Sequence, residues 1–446
     1  MRVAIIGAGP TGLVLAGGLA RRGHEVVMVD RDAGPDPDGT WARRGVMQFH
    51  HAHAFRPQVV QVLREECPTA YDAWLAAGAE PAELGGPGQP SITAMRSRRS
   101  TFEQAVRPAV LAQSGVELRC GHVDAVAVEA RRALGLVVDG ELLSADLVVD
   151  ASGRGGRVTR SLRAEPELGG PCGIAYVDRQ YQLHPGAEPG PLLNPIAWQG
   201  EYDGYLVILF VHEHGIFSVL FVRPTDDPDL RLLRHTDAFE AACRAVPGLA
   251  VWTDPERARP ITEVFPGGPL LNYYRSQRAR DGGLVANNLL FLGDAVCTTT
   301  PNFGRGVATS LLQVQHALRL LDAGEPDLVG AFDAWADEQM RPWVEDHVRI
   351  DTAQARRWAG EDIDLSQPLP SDLIMRAADS SPEAGAAIGP VIGPYLGLFA
   401  LPTTLAAVEP VAREVYAGGW RPAYTPGPTR AELVEVIRAA RASVPA

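Results

Sequence analysis

The first thirty residues contain the feature that most restricts how this chain can fold. Residues 3–6 are apolar and run into the sequence Gly7-Ala8-Gly9-Pro10-Thr11-Gly12, after which apolar residues recur at helical spacing. A second apolar run then closes at Asp30. Strand, glycine turn, helix and strand in this order predict a βαβ unit that binds a dinucleotide.

The residue type at each key position of this unit has a physical reason. Gly7 permits the tight turn, Gly9 lets the backbone approach a pyrophosphate, and Gly12 allows the helix to pack closely on the strand. The helix N-terminus presents free N–H groups and the positive end of its dipole to the phosphates. Asp30 is placed to accept hydrogen bonds from a ribose. The unit is equally typical of NAD and of the adenosine half of FAD, so a second site must decide between them.

Composition and charge exclude several classes of function. The 446-residue chain has a formal net charge of −13, which disfavours nucleic acid as a partner because phosphate binding requires a basic surface. All 41 basic residues are arginine, so Schiff-base chemistry and a P-loop, which both need lysine, are excluded. Five scattered cysteines are typical of a reducing, cytoplasmic setting. Neither a signal peptide nor a membrane span is expected.

A second segment with glycines lies around residue 294. Residues 289–292 predict a short buried strand that ends at Asp294, and a loop containing Pro301 leads to a helix that begins near Arg305. This segment resembles the second FAD motif of the class A flavoprotein monooxygenases, the para-hydroxybenzoate hydroxylase superfamily. FAD is long enough to need two contact sites, whereas a nicotinamide fold would not need the second. The resemblance therefore favours FAD.

The resemblance implies roles for individual residues. Asp294 would hydrogen-bond the ribityl chain, and Pro301 would lie beside the isoalloxazine ring. Reduced flavin carries negative charge at its N1–C2=O edge, which a helix N-terminus stabilises. The backbone N–H groups that would face this edge belong to Gly304, Arg305, Gly306 and Val307.

Further parts of residues 1–325 share the resemblance. The sequence Asp-Ala-Ser-Gly-Arg at 150–154 follows an apolar strand, as the family's middle motif does. Arg99 lies where the family has an arginine near the flavin phosphate or ribityl chain, and Val123 lies where a valine backbone usually contacts adenine. The expected FAD-binding residues are Gly7, Gly9, Pro10, Thr11, Gly12, Asp30, Arg31, Arg44, Arg99, Val123, Asp294, Pro301, Gly304, Arg305, Gly306 and Val307.

The sequence around residue 50 indicates a branch of this superfamily. Arg-Arg-Gly-Val-Met-Gln at 43–48, followed by His50, His51 and His53, resembles the R-x-G-V-P-Q…H-x-H stretch of polyether-type FAD epoxidases. No Cys or acidic cluster near these histidines completes a metal site, so we expect a polar loop near the flavin and no metal. A second stretch similar to that branch contains Tyr176, Arg179 and Tyr181.

The activity that the resemblance implies is FAD-dependent monooxygenation. One oxygen atom from O2 would be inserted into a hydrophobic small molecule, by epoxidation or hydroxylation, through a flavin C4a-hydroperoxide. The setting would be secondary metabolism, such as antibiotic biosynthesis. The flavin carries this chemistry and epoxidation demands no acid–base pair, and the sequence identifies no catalytic residue.

The source of electrons stays open between NADPH and a separate flavin reductase. Self-sufficient hydroxylases have Asp-Gly in the middle motif, where this chain has Ser152 before the glycine. The family's usual Gly-Asp-Ala-Ala-His becomes Gly-Asp-Ala-Val-Cys at 293–297. Both departures put direct reduction by NADPH in question.

Two other classes of enzyme share this fold. Flavin halogenases use a catalytic lysine and a W-x-W-x-I-P stretch, and the chain has neither. Geranylgeranyl-reductase-like enzymes share the FAD half and the D-A-S-G string. An FAD-dependent reductase or dehydrogenase is therefore the alternative function.

The fold class predicted is α/β: a Rossmann-like FAD-binding fold with a parallel sheet, an inserted antiparallel β-sheet substrate domain and a helical C-terminal region. Strands at 173–183, 205–212 and 215–222 form the inserted sheet, and the glycines and prolines at 388–394 are expected to break regular structure. Helices are expected at 237–245, 329–343 and 430–441. The domains expected are the first FAD part at 1–170, the substrate domain at 171–275, the second FAD part at 276–350 and the C-terminal region at 351–446.

Overall fold

The computed structural model describes residues 1–43, 45–84, 92–397 and 401–443. The strands are β1 (Arg2–Ile6), β2 (Glu25–Asp30), β3 (Glu80–Leu84), β4 (Ile92–Arg96), β5 (Val116–Cys120), β6 (Val123–Glu129), β7 (Arg132–Val138), β8 (Glu141–Ser144), β9 (Leu147–Asp150), β10 (Leu168–Pro171), β11 (Ile174–Leu183), β12 (Ala197–Tyr202), β13 (Tyr205–Val211), β14 (Ile216–Pro224), β15 (Ala258–Pro260), β16 (Phe265–Gly267), β17 (Leu271–Tyr274), β18 (Leu289–Phe291) and β19 (Cys297–Thr298). The α-helices are α1 (Pro10–Arg21), α2 (Pro57–Glu66), α3 (Pro68–Ala76), α4 (Arg99–Leu111), α5 (Thr236–Ala245), α6 (Pro247–Ala250), α7 (Gly306–Asp322), α8 (Leu328–Gln339), α9 (Arg341–Trp358), α10 (Ser371–Ala377), α11 (Pro382–Gly397), α12 (Glu409–Ala417) and α13 (Arg430–Ala442).

A five-stranded parallel sheet confirms the Rossmann-like part of the prediction. Its order is β18-β9-β1-β2-β5, with β1 at the centre. Residues of β1 are buried, as parallel strands covered on both faces usually are. Ile6 lies opposite Val29 and Asp150, and Asp150 lies opposite Phe291. The carboxyl ends of four strands therefore meet at one edge, where α/β folds bind their ligands.

The inserted antiparallel sheet is also confirmed. Its order is β12-β13-β14-β11-β15, and β16 pairs with β11. One face packs on α5 and α13 through a cluster that contains Phe217, Trp252 and Ile437. The other face carries a second cluster, which packs against Met47 and Ala54 of the loop before α2. This sheet lies in the chain between β9 and β18, yet those two strands pair in the parallel sheet.

The prediction of a single helix at 329–343 is wrong. Two helices, α8 and α9, meet at Met340, and Pro342 lies in the first turn of α9. Proline lacks a backbone N–H and its ring clashes with the preceding helical turn, so it starts a helix more readily than it continues one.

The prediction that 388–394 breaks regular structure is wrong as well. This segment lies inside α11, although proline within a helix costs roughly 3 kcal/mol. Ile388 of α11 is fully buried in the large core cluster. Burial of apolar surface outweighs the local cost here.

The last described helix returns to the inserted sheet. Thr429 and Glu432 form a capping box that begins α13, and Leu433 and Ile437 are buried beside α5. Arg430 adds an ion pair to Asp227 at 2.7 Å. The C-terminal helical region is thus confirmed, while the three boundaries between the four predicted domains stay predictions. In the described part of the chain, no helix is both long and apolar enough to cross a bilayer.

Candidate cofactor and substrate site

The glycine turn after β1 has the close packing that its residues predict. Gly7 has a φ of +97°, and a Cβ there would lie 2.8 Å from the carbonyl oxygen of Ala151. A Cβ on Gly12 would collide with the carbonyl oxygen of Gly7. Gly9, by contrast, precedes α1 in an extended conformation and has no side-chain cap. The N–H groups at the start of α1 are therefore available to a phosphate.

Asp30 lies beside this turn, at the end of β2. Its Oδ2 accepts the N–H of Ala8 at 2.7 Å, and its Oδ1 accepts the N–H of Asp32 at 2.9 Å. Each carboxylate oxygen can accept another hydrogen bond, so the predicted contact with a ribose fits. The N–H of Gly121 donates to the carbonyl oxygen of Asp30 at 3.0 Å, which brings Val123 and the start of β6 to the same edge.

Arg43 is the arginine that the structure places over the glycine turn. Arg44, which the sequence favoured, lies outside the described residues. The Arg43 Nη2 donates to the carbonyl oxygen of Ala8 at 3.0 Å, and its Nε is 2.6 Å from Glu103. Its buried Nη1 makes no hydrogen bond to any described residue. A cavity of about 570 Å³ adjoins this guanidinium and is lined by residues that include Arg31, Asp32 and Trp41.

The second FAD motif contacts the first one directly. Asp294 lies in a 3₁₀ turn, Gly293–Ala295, directly after β18. A Cβ on Gly293 would lie 2.7 Å from the hydroxyl oxygen of Thr11, so only glycine fits against α1 there. The hydroxyls of Tyr273 and Thr298 donate to the backbone carbonyl of Asp294, at 2.6 and 2.9 Å. These contacts fix the backbone of Asp294 and leave its carboxyl for a ligand.

The charge on Asp294 is set by burial and by two arginines. Burial raises the pKa of this carboxyl, while the charges of Arg99 and Arg154 lower it. Arg99 begins α4 and pairs with Glu103 at 2.6 Å. The predicted residues Arg99 and Asp294 therefore lie close enough to interact, although the chain between them contains the whole inserted sheet.

The loop before α7 presents only part of the predicted set of N–H groups. Residues Pro301–Phe303 form a 3₁₀ turn, and Gly304 follows with a φ of +60°. The N–H of Gly304 donates to the carbonyl oxygen of Pro301 at 2.9 Å and is used within the turn. Gly306 and Val307 start α7, where backbone N–H groups have no acceptor within the helix. A Cβ on Gly306 would meet nothing within 4 Å, which leaves space for a ligand beside these groups.

Arg305 has a structural role that the sequence did not indicate. Its side chain is fully buried between the rings of Phe303 and Trp343, and its Nη1 is 3.0 Å from the Nε2 of His347. The side chain therefore anchors the loop to α9, while the backbone of Arg305 caps α7.

A cluster of ionisable side chains joins the loop before α2 to the inserted sheet. His51 is buried, and its Nδ1 is 2.6 Å from Asp178 of β11. The ring of Tyr176, also on β11, meets His51 edge-on at 5.2 Å. The charges of Arg99 and Arg154 act on Tyr176 as they do on Asp294. We call the residues His51, Tyr176 and Asp178 the histidine cluster.

The other two histidines of the loop have different surroundings. Burial lowers the pKa of His53 well below its usual value, and the nearby charge of Arg99 lowers it further. His50 is exposed, and its ring stacks on Phe265 at 6.1 Å. Among the residues that the structure describes, no group of three or more His, Cys, Asp or Glu side chains could hold a metal ion.

The sequence did not identify Asp178, because it is 127 positions from His51. One signal for it was present. In a strand, alternate residues share a face, so Tyr176 and Asp178 point to one side of β11 and Arg179 and Tyr181 to the other. An aspartate within an apolar strand, on the same face as a tyrosine, is a candidate for a buried polar site.

The comparisons with known proteins agree with this geometry. A family model described as "FAD binding domain" matches residues 1–51. The chain is 26% identical over 366 residues to protein Rv3254 of Mycobacterium tuberculosis, which covers 73% of this chain and 74% of that protein.

Two solved structures show the same fold. The flavin-dependent brominase Bmp2, as a triple mutant, matches 93% of this chain and 99% of its own, with 17% identity and a TM-score of 0.61. PqsL from Pseudomonas aeruginosa, called a probable FAD-dependent monooxygenase, matches 81% of this chain and 98% of its own, with 20% identity and a TM-score of 0.58.

The fold is thus the FAD-binding fold found in class A flavin-dependent monooxygenases and halogenases. The glycine turn, the Nη1 of Arg43, which makes no hydrogen bond to a described residue, the carboxyl of Asp294 and the open space at Gly306 all fit FAD. Together with the FAD-binding domain at residues 1–51, they define the class: the chain is an FAD-dependent oxidoreductase.

Proposed function

We propose that this oxidoreductase is a monooxygenase that inserts one oxygen atom from O2 into a hydrophobic small molecule, by epoxidation or hydroxylation. The observation that carries the proposal is the position of the second FAD motif. Ala54 packs on the apolar cluster of the inserted sheet, which includes Ile174 and Ile208, and a Cβ on Gly304 in the loop before α7 would lie 3.0 Å from the Cβ of Ala54. The charges of Arg99 and Arg154 act both on Asp294 and on Tyr176 of that sheet. Such a wall suits an apolar substrate and keeps water from the reacting atoms.

Bound FAD would activate O2, and the residues of the chain would hold the flavin in position. The N-terminus of α1 and Arg43 would hold the pyrophosphate, and Asp294 would hold the ribityl chain. The N–H groups of Gly306 and Val307 would stabilise negative charge on the flavin. The polyether-epoxidase branch, and a role in secondary metabolism such as antibiotic biosynthesis, belong to the same proposal.

Halogenation is disfavoured although a halogenase shares the fold. The lysine that flavin halogenases use for catalysis has no counterpart, because the chain contains no lysine. This difference supports oxygen insertion as the reaction.

The electron donor is proposed to be a separate flavin reductase, with NADPH as the alternative. The hydroxyl and the N–H of Ser152 both donate to Asp150, at 2.6 and 2.9 Å. Ser152 is therefore engaged in its own turn, where self-sufficient hydroxylases have an aspartate. This supports supply of reduced flavin from outside the chain.

The deciding experiment measures incorporation of ¹⁸O from ¹⁸O2 into a panel of apolar alkenes and phenols. The FAD-loaded protein is tested once with NADPH and once with a flavin reductase and NADH. We expect labelled product with the reductase. Turnover of a substrate that continues without O2 and leaves no label would contradict the proposal and favour the FAD-dependent reductase class.

A pair of variants ties the activity to the proposed FAD site. Gly12→Ala places a methyl group against the carbonyl oxygen of Gly7, so we expect loss of bound FAD and of labelled product. Gly389→Ala is the matched control, because nothing lies within 4 Å of its Cβ and α11 is remote from the glycine turn in the chain. Retention of FAD by the Gly12 variant would contradict the assignment of this turn.

A further inference from the structure

His51 is held in one orientation by contacts on several sides. Its Nδ1 is 2.6 Å from the Oδ1 of Asp178, and its ring lies edge-on to Tyr176 at 5.2 Å and to Phe265 at 5.8 Å. Asp178 is itself fixed, because its second oxygen accepts the N–H of Ala52 at 2.6 Å. A carboxylate that accepts from Nδ1–H determines the tautomer and leaves Nε2 free to accept a proton.

The Nε2 of His51 has no assigned partner. Within the described residues it makes no hydrogen bond, and it is not sealed from solvent. A buried His–Asp pair costs free energy of desolvation, which is offset only when both partners are well placed. Two partners this well fixed, with the outer nitrogen left unused, are the arrangement of a proton acceptor rather than of a packing contact.

The loop that carries His51 also supports the loop before α7. A Cβ on Gly304 would lie 3.0 Å from the Cβ of Ala54, and the Nη1 of Arg56 donates to the carbonyl oxygen of Phe303 at 3.0 Å. The charges of Arg99 and Arg154 act on both Tyr176 and Asp294. The histidine cluster and the second FAD motif therefore face the same part of the interior.

We propose that His51, positioned by Asp178, accepts the proton of an acidic hydroxyl group on the substrate, and that the substrate class is a phenol or an enol. The proposal rests on the proposed function. The O–H bond breaks, its electron pair stays on the substrate oxygen, and the proton binds the Nε2 of His51. Asp178 balances the positive charge on the ring, and the proton leaves to solvent after turnover.

This assignment narrows the reaction to hydroxylation. An oxygen atom delivered by a flavin is electrophilic, so the attacked carbon must be electron-rich. Removing the proton of a conjugated hydroxyl raises the electron density on that carbon, whereas an isolated alkene has no proton to give. Epoxidation of such an alkene would need no proton acceptor, so it would not explain the arrangement of His51 and Asp178.

The proton acceptor can be tested without turnover. The probe is 4-fluorophenol, whose ¹⁹F chemical shift reports ionisation and does not overlap with flavin signals. It is titrated with pH at saturating concentrations of oxidised, FAD-loaded protein. We expect the bound probe to ionise at least about one pH unit lower with the wild type than with His51→Gln. Glutamine can still donate to Asp178 but cannot accept a proton.

Matched variants separate His51 from its surroundings. His50→Gln changes the adjacent, exposed histidine and is expected to shift the titration far less than His51→Gln does. Asp178→Asn is expected to reduce the difference, because the amide does not balance the charge on the ring. The groups that face His51 and could also act on the probe are Asp178, Tyr176, His50, His53, Arg99 and Arg154.

Equal titrations in the wild type and His51→Gln, including no perturbation of the probe by either protein, would overturn the proposal. If the His51 variant loses FAD, the wild-type protein is used alone. A probe whose ionisation is not shifted by the wild-type protein would then overturn the proposal. Incorporation of ¹⁸O with an unshifted probe would overturn the proton acceptor and leave the oxygenase. A shifted probe without incorporation would overturn the oxygenase and leave the proton acceptor.

Discussion

The two faces of the inserted sheet differ in how their polar groups are satisfied. On the face covered by α5 and α13, Tyr181 and Arg179 both donate to Glu240 at 2.6 Å. On the opposite face, Tyr176 makes no hydrogen bond to any described residue. Asp178 on that face is paired with His51, whose Nε2 makes no hydrogen bond to a described residue. Neighbouring positions of one strand thus have paired polar groups on one side and polar groups available to a ligand on the other.

This contrast makes a general point about β-sheets in enzymes. Alternation lets one strand supply a closed core and an open site at once, because consecutive side chains never share a face. Substitutions on the two faces should therefore separate into effects on the free energy of unfolding and effects on ligands.

Phe217→Ala tests the closed face and has the largest expected effect. Phe217 is fully buried, stacks on Tyr181 at 5.3 Å and contacts Trp252 at 5.0 Å. Removing the ring should lower the free energy of unfolding by about 3–5 kcal/mol, because a cavity remains. Urea denaturation measures the loss, and the FAD content of the folded fraction should not change. A loss below about 1 kcal/mol would show that the neighbouring side chains move to fill the cavity, so that this face is not tightly packed.

Asp351→Asn tests a buried carboxyl on the cofactor side. Burial raises the pKa of Asp351 to about 7, against hydrogen bonds from Asn272, Cys172 and Thr300 that lower it. The folded protein then holds a proton that the unfolded chain releases near pH 4, so wild-type stability falls as pH rises from about 4 to 7.

The asparagine variant lacks this dependence. Its stability relative to wild type should therefore increase with pH by up to about 4 kcal/mol and level off above pH 7. Unfolding in urea at several pH values between 4.5 and 8 measures the difference. Parallel profiles for the two proteins would rule out titration of Asp351 in this range.

Tyr181→Phe removes one hydroxyl from the closed face. The hydroxyl donates to Glu240 at 2.6 Å, and Arg179 remains as a partner of that carboxylate. We expect a loss of about 1–2 kcal/mol in the free energy of unfolding, measured by urea denaturation. An unchanged free energy of unfolding would mean that water or Arg179 fully replaces the tyrosine hydroxyl as the hydrogen-bond donor to Glu240.

Tyr176→Phe is the matched change on the open face and has the smallest expected effect on stability. Because the hydroxyl of Tyr176 bonds to no described residue, its removal should change the free energy of unfolding by less than about 0.5 kcal/mol. A loss as large as that of Tyr181→Phe would erase the difference between the two faces.

Local patterns predicted the cofactor half of the site. The glycine turn, Asp30 and the strand before Asp294 lie within short segments whose order alone indicates their geometry. Three strands of the inserted sheet, β11, β13 and β14, followed from apolar residues with β propensity and occur where expected, whereas β12, β15 and β16 were not predicted.

Long-range packing determined what the sequence did not predict. The pairing of His51 with Asp178 depends on the docking of a loop on a sheet far along the chain. The helix through Pro390 depends on burial of Ile388 by other helices, which outweighs the local preference. The position of Arg43 over the turn depends on a backbone φ of +31°, which non-glycine residues rarely adopt.

The docking of α13 has a consequence for how the protein is made. The helix shares the cover of the closed face with α5, which is translated much earlier, so the part of that face under α13 stays uncovered until residues 430–442 leave the ribosome. During that interval the nascent chain presents a binding surface for chaperones and for other nascent chains. Completion of the core around the inserted sheet therefore depends on a helix that is translated well after the strands it covers.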